Sequence, residues 1–131
     1  MIRWQEDNTA LFSPELYRKF LKPVDTELAA CCPYSLLHLH SSSMPLLDDF
    51  LEIEKIKCFE INIDVGGPPI AQMIPYFQKV QKADRSLLIR GILNENEVRE
   101  MMDSLSPAGL YVYLMVSSVE EAEKLRPLLG M

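Results

Sequence analysis

Apolar residues follow two alternating periods along the chain. Leu36-Leu37-His38-Leu39-His40, Cys58 to Asp64, Ser86 to Arg90 and Leu110 to Val116 are short runs, alternating or continuously apolar, that predict four strands. Between them apolar residues recur every three or four positions, the period of a helix packed on one side. Leu46, Leu47, Phe50 and Leu51 make one such stripe, with Asp48, Asp49 and Glu52 off it and expected in solvent. Ile70, Met73, Ile74, Phe77 and Val80 make a second, entered through Gly66-Gly67-Pro68-Pro69. Val98, Met101, Met102 and Leu105 make a third, with Asn94 as its cap and Glu97 three residues on. A fourth helix starts at Ser118, ahead of Glu121, and Gly130 can end it. Upstream, Ser13-Pro14 opens an N-terminal helix that Pro23 should kink or split.

Strand starts fall near residues 35, 58, 86 and 110, steps of 23, 28 and 24. That is the pace of a strand–helix unit, and helical crossovers make the strands parallel. The pattern therefore predicts an α/β fold, α-(βα)4, in which four units form half of a TIM-type barrel behind an N-terminal helix. With 131 residues there is room for a single domain, 1–131. A small doubly wound sheet is the competing architecture, but no glycine-rich phosphate fingerprint follows the first strand.

Composition narrows the class of partner. The content of 48% hydrophobic and 24% charged residues is that of a globular chain. A net charge of −6 and a pI near 4.9 argue against nucleic acid or an anionic membrane as the main partner. The longest apolar run, Leu110 to Val116, is too short to span a bilayer, and no secretory leader opens the chain. Three cysteines, two of them adjacent at Cys31 and Cys32, make a poor disulfide framework, so a reducing cytoplasm is the expected location. All three cysteines and the Met101–Met102 pair read as core.

Side chains alternate across a strand, so each strand sends one set to the helices and the other to the opposite face. Leu37 and Leu39 stand against His38 and His40; Phe59, Ile61 and Ile63 stand against Glu60, Asn62 and Asp64. Val112, Leu114 and Val116 alternate with Tyr111, Tyr113 and Met115. In a barrel the apolar sets face the helices and the polar sets face the interior and its mouth, where such folds place chemistry. His38, His40, Glu60, Asn62, Asp64, Arg90 and Tyr113 should thus converge from four stretches of sequence. His38-x-His40 on a strand projects two imidazoles in parallel, a pair suited to zinc, with Glu60 or Asp64 as third ligand. The alternative is structural: Glu60 and Asp64 pair with Arg90 in a polar mouth, and Tyr111 and Tyr113 pack with bonded hydroxyls.

One set of segments resembles a known family. Glu6-Asp7-Asn8 followed by Ser13-Pro14-Glu15-Leu16-Tyr17-Arg18-Lys19-Phe20 and Pro23 is similar to a stretch midway along the uroporphyrinogen decarboxylase superfamily, which includes the cobalamin-dependent methyltransferases. In the same order, Leu37-His38-Leu39-His40-Ser41, Pro45 to Phe50, Phe59 to Asp64 and Leu88 to Leu93 resemble that family's later segments. The similarity covers nearly the whole chain and only the C-terminal half of the family's barrel. The methyltransferase branch holds zinc through His-x-Cys and a later cysteine; here His40 takes the first cysteine's place, and Met115-Val116-Ser117-Ser118 has none at the second. That last loop also lacks the histidine of the decarboxylase branch.

The resemblance implies a corrinoid-linked methyltransferase or a decarboxylase, active only when completed by a complementary N-terminal half. In the first case a divalent metal, zinc, on His38 and His40 would serve methyl transfer, with corrinoid and a corrinoid protein as the expected cofactor and partner. Asn62, Arg90 and Tyr113 would contact substrate, Arg90 through an acidic group. The rival is a non-catalytic binding or assembly module of the same fold. Unpaired strand edges lead in either case to the expectation of a homo-oligomer.

Overall fold

The computed structural model describes residues 1–130. Five strands, β1 (Ile2–Gln5), β2 (Ser35–His40), β3 (Cys58–Ile63), β4 (Ser86–Gly91) and β5 (Leu110–Leu114), form one sheet in that order. Every neighbouring pair is parallel. Each strand lies beside its predecessor in sequence, so the order never reverses and there is no switch point. That excludes the doubly wound arrangement and is consistent with a half-barrel.

The sheet has one strand more than the four expected, because β1 precedes the N-terminal helix. Ile2 and Trp4 alternate with Arg3 and Gln5, but four residues carry too short a pattern to distinguish a strand from a loop. Pairing with β2 decides it: Trp4 aligns with Leu37 and Gln5 with His38.

Helix α1 runs over 14–30, α-helical at Pro14–Leu16 and Lys22–Ala30 and π-helical between them at Tyr17–Leu21. Ser13 caps it, accepting from the Leu16 N–H. Pro23 donates no N–H and crowds the carbonyl four residues back, and the wide turn just upstream absorbs that conflict without breaking the helix. A 3-10 segment, Ser41–Leu46, leads into α2 (Leu47–Leu51). Then follow α3 (Ile70–Lys82), α4 (Glu95–Ser104) and α5 (Val119–Leu125). Asn94 and Glu97 form the expected capping box on α4, and Gly130, at φ 73°, ends the turn after α5. Among the described residues no helix is long and apolar enough to cross a membrane.

Right-handed crossovers between strands in sequential order put every helix on one face of the sheet. Leu37, Leu39, Phe59, Ile61, Leu87 and Ile89 are fully buried there, against Phe50, Met73, Phe77, Val98 and Met101 of the helices. Gly91 belongs to this face because a Cβ would stand 2.8 Å from Ile63 Cβ. The opposite face carries the polar sets.

Three expectations fail at the margins of the core. Asp49 is not solvated: α1 packs beside α2, and the carboxylate is 3% exposed, held by Arg18 Nε at 2.7 Å and Lys22 Nζ at 3.1 Å. Cys31 is exposed and Cys32 and Cys58 are half-buried, because the first two lie where the chain leaves α1 and the third faces away from the helices. Tyr111 and Tyr113 are 60% and 47% exposed, because β5 is an edge strand with no neighbour to cover them.

Candidate functional site

The strand registers assemble the site in two rows on the helix-free face. Gln5, His38, Glu60, Leu88 and Tyr111 lie side by side across the five strands, and His40, Asn62, Arg90 and Tyr113 form the next row towards the strands' C-terminal ends. Asp64 sits one step past the end of β3. All seven residues singled out in the sequence therefore share one face, although strand spacing of about 4.8 Å separates the histidines from Tyr113 by several strands.

The two imidazoles pack edge to face, with ring centroids 5.1 Å apart. Each turns its Nδ1 towards a carboxylate. His40 Nδ1 is 2.6 Å from Asp64 Oδ1. His38 Nδ1 is 3.2 Å from Glu60 Oε1, a close approach whose angle falls short of a hydrogen bond. Glu60 is itself held by Arg3 Nε at 2.9 Å, and Asp64 by Asn62 and by the hydroxyl and N–H of Ser41. Burial works to raise both carboxyls, but these donors and cationic neighbours outweigh it and hold each below its ordinary value. Burial pushes His38 the other way, below the ordinary histidine value, more strongly than Glu60 raises it. His38 is thus a neutral imidazole at pH 7, the form that ligates metals.

With each Nδ1 so directed, both Nε2 atoms face a third group, Asp7. Its Oδ1 is 3.5 Å from His40 Nε2 and 3.9 Å from His38 Nε2. Asp7, His38 and His40 offer ligand atoms that all lie within 4.8 Å of one another, a candidate metal-binding triad. Zinc–ligand bonds of about 2.1 Å in a tetrahedron place ligand atoms roughly 3.4 Å apart, so the triad must draw together to hold the ion. Asp7 is therefore placed where Glu60 or Asp64 was expected, and those two lie behind the rings.

Sequence reading did not single out Asp7, because its position depends on where the loop after β1 is tied. The Glu6 N–H donates to the His38 carbonyl, and the Thr9 hydroxyl lies 2.7 Å from the Glu6 carbonyl and 2.9 Å from Ser43 Oγ. Beneath the loop, the Asp25 carboxylate accepts from Trp4 Nε1 at 2.9 Å and from the Tyr17 hydroxyl at 2.7 Å. Burial, and then the charge of Asp25, push the neighbouring Glu6 carboxyl up to about 8. A run of acidic and amide residues at Glu6-Asp7-Asn8, directly after a short alternating segment, is the signal that could have pointed to Asp7.

On the other side of Glu60 a groove of about 400 Å³ opens towards β5, lined by Glu60, Leu88, Arg90, Tyr111 and Tyr113. Of the two ion pairs the structural alternative gave Arg90, the one with Glu60 is present, at 3.8 Å, and among the described residues none joins Arg90 to Asp64. Comparisons with models of protein families, with curated proteins and with solved structures each find no match for the chain.

Proposed function

We propose that this chain is a half of a TIM-type barrel that binds a divalent metal, zinc by its donor set, through His38 Nε2, His40 Nε2 and the Asp7 carboxylate. One observation carries the reading: two histidines whose Nδ1 atoms face carboxylates present both Nε2 atoms to a third carboxylate. Metal-ligating histidines typically have their second nitrogen engaged by a carboxylate, which fixes the tautomer and raises the basicity of the ligating nitrogen. Here Asp64 fills that role for His40, Glu60 stands 3.2 Å from His38 Nδ1, and Ser41, Asn62 and Arg3 hold the two carboxylates in place.

Three protein ligands leave a position open, the mark of a catalytic rather than a structural site. A metal there supplies Lewis-acid stabilisation to an anionic oxygen or sulfur of a substrate. Following the resemblance to corrinoid-linked methyltransferases, the reaction is methyl transfer to or from such a group, with a complementary N-terminal half and a corrinoid protein as partners.

Calorimetric titration of metal-stripped protein with zinc at pH 7.5 tests the reading. Wild type should bind one equivalent, and His38→Ala and His40→Ala should each abolish the heat. No heat in the wild type would leave the histidines as structural residues of a polar face.

A second reading, an assembly module, is favoured by the free outer edges of β1 and β5. An unpaired strand edge recruits another strand, and a second copy of the chain offers one. Light scattering showing a strict monomer up to millimolar concentration would exclude it.

A further inference from the structure

The groove beside the histidines holds an arginine whose donors are unspent. A guanidinium carries five N–H donors. Arg90 Nε is buried and has no hydrogen-bond partner among the described residues. The nearest carboxylate oxygen, Glu60 Oε1, lies 3.8 Å from Nη1, beyond hydrogen-bond reach, and Glu60 already accepts from Arg3. Two guanidinium groups thus share one carboxylate, Arg3 at hydrogen-bond distance and Arg90 at 3.8 Å, so the donors of Arg90 stay free towards the groove. The Arg90 guanidinium carbon stands 5.5 Å from the Tyr113 ring centroid. That contact keeps the fork at the groove wall without using its in-plane donors. Leu88 and the exposed rings of Tyr111 and Tyr113 supply flat apolar surface next to it.

We propose that this groove binds a small monocarboxylate with a planar apolar body, the carboxylate on Arg90 and the body against Tyr111 and Tyr113. The single guanidinium with free donors offers one cationic contact, and its planar fork matches the two oxygens of a carboxylate. The volume of about 400 Å³ is within the range of small-molecule sites. Because Glu60 is both a wall of the groove and the carboxylate behind His38, the ligand lies next to the metal site. The inference rests on the metal reading only in naming this ligand as that site's substrate.

Benzoate is the probe, titrated into metal-stripped protein by calorimetry in parallel with benzamide, its uncharged analogue of the same shape. Benzoate should bind at least about tenfold more tightly than benzamide, the difference that one charge-assisted pair makes. Arg90→Gln should lose about tenfold or more in benzoate affinity, and Arg90→Lys should recover part of it, keeping the charge without the fork. Equal affinity of the wild type for the two probes, or undiminished benzoate binding by a folded Arg90→Gln protein, overturns the proposal. Zinc titration of the same samples separates the two readings. Benzoate binding without zinc binding removes the metal site alone, and zinc binding without benzoate binding removes the carboxylate groove alone.

Discussion

His40 Nδ1 and Asp64 Oδ1 are 2.6 Å apart, and the other oxygen of Asp64 accepts the N–H and the hydroxyl of Ser41 at 3.0 and 2.6 Å. The carboxylate therefore cannot turn without losing three partners, and the ring it faces is fixed with Nε2 towards Asp7. Gly67 lies tight behind this arrangement: a Cβ there would come within 2.9 Å of Ser41 Oγ.

Asp64→Asn should keep the fold and weaken zinc binding by about 10- to 100-fold, the usual cost of losing a carboxylate behind a ligating histidine. Calorimetry at pH 7.5 measures it. Unchanged affinity would show that Asp64 organises the loop after β2 and nothing more.

Asp7 and Glu60 make opposite forecasts. If Asp7 is the third ligand, Asp7→Ala should abolish zinc binding, since two imidazoles alone hold the ion poorly against water. Glu60→Gln should leave weakened but measurable binding. The reverse ranking would return the third position to Glu60.

Asp49→Asn should destabilise the protein by about 1–2 kcal/mol at pH 7, through loss of charge-assisted bonds to Arg18 and Lys22. The lower end is expected because Arg18 is 58% exposed and its pairing is screened. The Arg18 hydrogen bond, opposed by burial and aided by Lys22, holds the Asp49 carboxyl below its ordinary value. Its contribution is therefore present above the unfolded value of 3.8 and is lost as pH falls through the lower folded value. Urea unfolding of wild type and variant should converge at acid pH; a constant gap would refute the pairing as the cause.

Glu6 gives the opposite pH dependence. Its carboxyl, pushed up to about 8 by burial and by Asp25, binds its proton more tightly folded than unfolded. The stability this contributes is complete below the unfolded value of 4.5 and is lost as pH rises through about 8. Glu6→Gln should remove that decline, so that the variant gains on wild type in denaturant midpoint between pH 5 and about 9. Parallel curves across that range would count against a protonated Glu6 beside Asp25.

Much of this arrangement was legible in the chain because it depends on near neighbours. Alternation in Leu37-His38-Leu39-His40 and Phe59-Glu60-Ile61-Asn62 decides which side chains share a face whatever the sheet order, since successive residues of a strand point to opposite sides. The stripe from Ile70 to Val80 and the capping box of Asn94 and Glu97 are likewise properties of a few consecutive turns. Tertiary structure decided the rest. β1 is a strand because β2 supplies its hydrogen bonds, and Asp49 is buried because α1 lies beside α2. The third carboxylate at the histidines is Asp7 because a loop distant in sequence is tied to His38 and Ser43. His38 and His40 could be paired from their spacing alone. Which acid faces Nδ1 and which faces Nε2 depends on strand register and loop closure, and no local period encodes either.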